Sequence, residues 1–232
     1  MKLTITRTCC GRARAVAHAI LQHHFENLEQ QHESATLGMW IFLVTEVMFF
    51  GGLFTAYTVY RTLYPAAFAE ASRHLNVLLG GANTAVLLCS SLTVALAVHF
   101  AQISRRRATF IFLLATILLG AMFLGIKASE WYVEYHDGLV PGRLFTYVSP
   151  DPANISGRQV ELFYVLYFAM TGLHGLHMII GIGIMSVLAF HAWRGRYSED
   201  YFSQVEVGGL YWHFVDIVWI FLYPMLYLIG TK

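Results

Sequence analysis

The stretch GLYWHFVDIVWIFLY, residues 209 to 223, is apolar enough to cross a bilayer, yet it carries His213 and Asp216 one helical turn apart among Tyr211, Trp212, Trp219 and Tyr223. A segment of this kind settles the solvent. It belongs to a helix in hydrocarbon, where a charge at the centre costs about 2.5 to 3.5 kcal/mol on the mild insertion scale, so each ionisable side chain there asks for an explanation. The composition of the whole chain agrees: 57% of the 232 residues are hydrophobic, 15% aromatic and only 12% charged, too apolar for a water-soluble globule of this size.

Four further segments resemble the one at 207 to 229 in length and apolarity, at about 37 to 60, 76 to 101, 108 to 130 and 161 to 190. Each is long enough for a hydrocarbon core of about 30 Å, which needs roughly 20 helical residues, and each must be helical because unpaired backbone in lipid costs several kcal/mol per group. The fold class is therefore all-α, a polytopic membrane protein with five transmembrane helices. The chain divides into an N-terminal tail, 1 to 36, and a five-helix membrane domain, 37 to 232. The longest connection, 131 to 159, holds Pro141, Pro150, Pro152 and several acids, which suits an aqueous loop.

Basic residues set the expected orientation. With the N-terminus inside, nine fall on the inner side (Lys2, Arg7, Arg12, Arg14, Arg105, Arg106, Arg107, Arg194 and Arg196) and five outside (Arg61, Arg73, Arg143, Arg158 and Lys232). An N-in, C-out arrangement follows. A net charge of +1 and the lack of a basic stripe interleaved with aromatics exclude a nucleic-acid partner. Cys9, Cys10 and Cys89 show no C-x-x-C spacing and supply neither a thiolate metal site nor a disulfide framework. The acid-free N-terminal stretch before Glu26 raises a transit peptide beside a retained cytoplasmic tail.

The polar residues within the spans carry the functional information. In LGMWIFLVTEVMFFGGLF, Glu46 falls near mid-membrane, either as a protonated carboxyl bonded to a neighbouring helix or as a group that binds protons, lipid headgroups or a partner subunit. In TGLHGLHMIIGIG, His174 and His177 stand three apart and share one helical face among glycines. Buried packing between close helices competes there with a metal site, which would need further convergent ligands that the sequence does not offer. Lys127 and Glu130 have the spacing of a local ion pair near the outer interface, with the lysine snorkelling outward. Asn83, Thr84, Ser90 and Ser91 mark faces that pack on protein, AMFLG at 121 to 125 has small-xxx-small spacing, and His99 can reach water. His213 and Asp216, close to the inner end of their helix, read as an interfacial polar knot that bond each other or a partner, with Tyr211 and Trp212 as boundary anchors and Trp219 bonded inside the bundle. Arg194 and Arg196 meet lipid phosphates or stand as solvated loop charges.

Five motifs in series, TEVMFFGGLF (45–54), LNVLLGGANTAVLL (75–88), KASEWY (127–132), GLHGLHMIIG (172–181) and YWHFVDIVWIFLY (211–223), resemble subunit III of the haem-copper oxidases, most closely that of cytochrome c oxidase in its five-helix bacterial form. The resemblance covers about residues 30 to 230. It implies a non-catalytic core subunit of an aa3-type oxidase in the bacterial cytoplasmic membrane, with helices in two bundles around a lipid-holding cleft. On this resemblance the haems and coppers reside in partner subunits I and II, and this chain holds bound phospholipid but no metal and no catalytic residue. It packs on subunit I, supports proton uptake and turnover stability, and can join a larger respiratory supercomplex. Glu46 matches the family's buried reactive carboxyl and His177 a position near it. Subunit III of a quinol oxidase, a subunit associated with nitric oxide reductase, and, in a different class, a small membrane transporter are the alternatives.

Overall fold

A computed structural model describes residues 28–143, 145–148, 155–195, 197 and 203–231. The expected uses of Arg196, Cys9, Cys10 and most of the N-terminal tail fall outside these residues. The chain separates into two compact units, Met1–Phe42 and Leu43–Lys232.

The helices are α1 (Leu28–Leu63), α2 (Pro65–Arg73), α3 (Val77–Gln102), α4 (Arg106–His136), α5 (Gly157–Arg194) and α6 (Ser203–Tyr227), followed by a short 3-10 turn, Ile229–Thr231. No strand occurs among the described residues. Five of these helices, all but α2, are long and apolar enough to span a membrane. Three of them, α1, α4 and α5, overrun the segments expected from hydropathy at both ends because the flanking turns are polar but still helical, and α6 begins earlier than expected. At 1.5 Å per residue the 36 residues of α1 extend for about 54 Å, well beyond a bilayer core.

Local sequence accounts for where the helices begin and end. Asn76 caps α3 by accepting a hydrogen bond from the Leu79 amide at 3.1 Å. Ser156 and Gln159 form a reciprocal capping box at the start of α5. Gly195 ends α5 in the left-handed conformation at φ 74°, a geometry costly for residues with a Cβ.

Within the larger unit α3 to α6 pack as a group, α3 against α4 and α6, and α5 against α4 and α6. Small residues and hydroxyls line these contacts. Trp212 fills the space left by two glycines: a Cβ on Gly120 would meet its ring at 2.7 Å and one on Gly181 at 3.1 Å. Its indole N–H donates to Ser90 Oγ at 3.1 Å, and Trp219 donates to Thr84 Oγ1 at the same distance. Thr93 and Thr116 bond across the α3–α4 contact at 2.8 Å. The polar dots on the second span thus face protein, as expected. The small-xxx-small motif acts elsewhere than expected: Gly125 faces open space, and Gly120, just outside the AMFLG stretch, makes the close approach.

The part of α1 from residue 43 onward joins this group through long side chains. Tyr57 donates a 2.6 Å hydrogen bond to the Met225 carbonyl, and Phe50 meets both His177 and Phe214 edge to face. The C-terminal end of α6 is held by α2. Ser72 Oγ donates to the Leu226 carbonyl at 2.8 Å and Arg73 Nε to the Gly230 carbonyl at 3.2 Å, so carbonyls that a helix end leaves without partners find them in residues far away in sequence. Gly230 permits that docking: a Cβ there would stand 2.6 Å from the Ala69 carbonyl oxygen.

Candidate functional site

Two groups of ionisable side chains stand out inside the spans. The first joins α1 to α5. Glu46 lies at the middle of α1 and His177 near the middle of α5, and their Oε2 and Nε2 atoms are 3.2 Å apart. His177 Nδ1 is 2.9 Å from the Leu173 carbonyl. A carbonyl only accepts, so Nδ1 carries a hydrogen. Nε2 is therefore the ring atom that faces the Glu46 carboxyl. The Tyr211 hydroxyl closes the same region by donating to the His177 carbonyl at 3.1 Å. Around Glu46, Val44, Val47, Met48 and Phe49 are exposed, so this carboxyl sits on a helix whose other faces meet lipid or another chain.

His174, one turn earlier, points elsewhere. It is 1% exposed, packed against Phe123 at 5.5 Å and over Trp219 at 5.1 Å, and neither ring nitrogen has a hydrogen-bond partner. A three-residue step turns about 60° away from perfect alignment on a helix. That suffices to aim His174 into the α4–α6 contact and His177 toward α1. The two histidines therefore do not act as a pair of ligands. Among the described residues no cluster of three or more His, Cys, Asp or Glu is arranged to hold a metal ion.

The second place lies between α4, α5 and α6. Lys127 is 4% exposed, and its ammonium donates to Glu130 at 2.9 Å and to the hydroxyls of Tyr167 and Tyr227 at 2.6 Å each. Three donors thus meet three acceptors, all that an ammonium can offer. Tyr227 in turn donates to the Glu130 carboxylate, at 2.7 and 2.9 Å from its two oxygens. The rings of Tyr167 and Tyr227 lie 4.5 and 5.3 Å from the Lys127 nitrogen. The spacing correctly pairs Lys127 with Glu130, but the snorkelling lysine is corrected: this pair is interior, and the tyrosines take the place of water.

The sequence puts Glu134 in the connection 131 to 159, where no loop feature marks it as a site residue. Because α4 continues to His136, Glu134 falls on the face of Lys127 and Glu130 and is buried, with neither carboxyl oxygen hydrogen-bonded. The 127, 130, 134 spacing was the available signal. Tyr167 and Tyr227 gave none, since an aromatic residue at a helix contact is ordinarily core.

The opening stretch is also corrected. Asp216 lies at the middle of α6, is 3% exposed and has no hydrogen-bonded oxygen, while His213 Nδ1 is 2.7 Å from Ser91 Oγ on α3. His213 and Asp216 are not bonded to each other, and the segment is no boundary knot: α6 starts at Ser203, so both residues are deeper than the hydropathy edge suggested. Tyr211 and Trp212, expected at a boundary, are 3% and 0% exposed. His99 is exposed, as expected. Arg194 lies with its guanidinium 4.3 Å from the Phe190 ring centre.

Such a molecule is a multi-pass helical membrane protein whose buried polar groups tie helices together. The family model described as cytochrome c oxidase subunit III matches residues 13–139 and 154–231. The chain belongs to this family, the third subunits of haem-copper oxidase complexes. It is 34% identical over 197 residues to cytochrome c oxidase subunit 3 of Synechocystis sp., covering 83% of this chain and 74% of that protein. Quinol oxidase subunit 3 of Bacillus subtilis is 28% identical over 214 residues, covering 90% and 96%. Cytochrome bo(3) ubiquinol oxidase subunit 3 of Pseudomonas aeruginosa is 28% identical over 219 residues, covering 94% and 95%.

Proposed function

We propose that the chain is the non-catalytic third subunit of an aa3-type cytochrome c oxidase in a bacterial cytoplasmic membrane, N-terminus inside, packed on subunit I beside the subunits that hold haem and copper. The observation that carries this reading is the contact of Glu46 with His177. It is a contact between a carboxyl and an imidazole at the middle of two spanning helices. Such a pair fixes α1 against α5, and with it the apolar faces of both helices that a partner subunit or phospholipid must cover. Loss of this fixation loosens the lipid and partner contacts on which proton supply to the oxidase depends. His213, Asp216, Lys127 and Glu130 serve the packing of the other helices.

Purification in mild detergent through a C-terminal tag tests the reading: haem-bearing chains should co-purify and the sample should show a reduced-haem visible spectrum. Isolation of the functional chain without them contradicts it. A quinol oxidase is the second reading, favoured by the likeness to the Bacillus and Pseudomonas proteins. Oxygen uptake by the purified complex with reduced cytochrome c, set against a reduced quinol, separates the two donors.

A further inference from the structure

The turn between α3 and α4 and the C-terminal end of α5 meet. Arg106 lies over Gly195, where an added Cβ would approach its guanidinium nitrogen to 3.0 Å, so the left-handed glycine that ends α5 also makes room for this arginine. Beside it Arg106, Arg107, Phe110 and Trp193 line an open groove of about 400 Å³, within the range of roughly 300 to 1,000 Å³ usual for small-ligand sites. Both arginines are exposed, and among the described residues neither forms an ion pair. The groove therefore carries two guanidinium groups at the N-terminal, electropositive end of a 31-residue helix, unpaired with any carboxylate among the described residues.

The surroundings decide which anion fits. Next to the arginines the walls turn apolar: Phe110 and the exposed Trp193 line the groove itself, and the helices leading away from it expose Ile111 and Leu114 on α4 and Phe190 on α5. A soluble anion has no use for such walls. An amphiphile does, because its charged head meets the guanidinium groups while its first methylenes lie on the aromatic rings and its chains continue along the helices. We propose that this groove binds the phosphodiester headgroup of an anionic phospholipid from the adjoining leaflet, with Arg106 and Arg107 on the phosphate oxygens and Phe110 and Trp193 against the glycerol and upper acyl chain. Guanidinium forks match phosphate oxygens in pairs, which lysines would not. The site is separate from Glu46 and His177, so its failure leaves the proposed subunit role standing, and the reverse also holds.

The test is native mass spectrometry of the intact, detergent-purified complex containing this chain, stripped of lipid and titrated with phosphatidylglycerol, phosphatidylcholine or inorganic phosphate. Wild type is expected to bind phosphatidylglycerol in preference to phosphatidylcholine, with no competition from inorganic phosphate at equal concentration. The variant Arg106→Gln/Arg107→Gln is expected to lose about thirtyfold in affinity, the change for two basic residues at an anionic surface, while Arg143→Gln/Arg158→Gln keeps wild-type affinity. Should the double variant fail to assemble, Arg107→Gln alone, which leaves the contact of Arg106 with Gly195 in place, is expected to lose about fivefold. Phosphatidylglycerol binding indifferent to these arginines, equal binding of phosphatidylcholine, or displacement by inorganic phosphate overturns the proposal.

Discussion

The two polar regions of the molecule solve the same problem in opposite ways. At Lys127 every donor of the ammonium has its acceptor, the carboxylate of Glu130 is bonded from two sides, and water is excluded. At Glu46 one carboxyl and one imidazole face each other at 3.2 Å on a helix that otherwise touches its neighbours through a few large side chains. The first arrangement has no freedom left and serves to lock α4, α5 and α6. The second joins one carboxyl to one imidazole beside exposed faces of α1. A saturated ion pair is a fastener, whereas a sparse one can answer to a partner subunit.

Breaking the saturated region should give the largest effect on the fold. Lys127→Met leaves the buried Glu130 carboxylate without its cation, bonded only by Tyr227, and takes from Tyr167 its bond to the ammonium; about 3 to 5 kcal/mol of stability is expected to go, seen as lost assembly or a lowered unfolding midpoint in detergent. The double variant Lys127→Met/Glu130→Leu should recover most of that loss, since replacing a whole buried pair by apolar residues is often neutral. A double variant no better than the single one would show that the charges matter beyond mutual compensation.

Gly120→Ala tests the packing beside the saturated region. Its Cβ would press on Trp212 at 2.7 Å, and an overpacking cost of about 1 to 3 kcal/mol is expected, read in the same unfolding assay. Tyr57→Phe removes the bond from α1 to the Met225 carbonyl and should cost only about 0.6 kcal/mol, the average for interhelical hydrogen bonds in membranes. A cost as large as that of Lys127→Met would mean that α1 is held as firmly as the core helices, and the contrast would collapse.

Much of this was legible in the sequence, but at one level. Five helices followed from hydropathy because lipid permits little else, and Glu46 and His177 stood out because ionisable groups in oil are costly. Direction was harder to read. Lys127 was placed at the surface because sequence spacing reveals its neighbour Glu130 but not Tyr167 and Tyr227, which arrive from two other helices. Asp216 was placed at a boundary because hydropathy marks where a helix becomes apolar, not where it begins. The docking of α2 on the end of α6 through Ser72 and Arg73 was invisible, since it joins residues about 150 positions apart in the chain. Periodicity describes one helix at a time, and these contacts belong to pairs.

The central claim is that Glu46 and His177 secure the subunit within its oxidase and perform none of the chemistry. The direct measurement is oxygen consumption by the purified complex bearing Glu46→Ala, followed from the first turnovers until activity decays, alongside its retained phospholipid. The account predicts an initial rate close to wild type, a shortened active lifetime and less bound lipid. Wild-type lifetime and lipid content, or an initial rate abolished in a fully assembled complex, would contradict it.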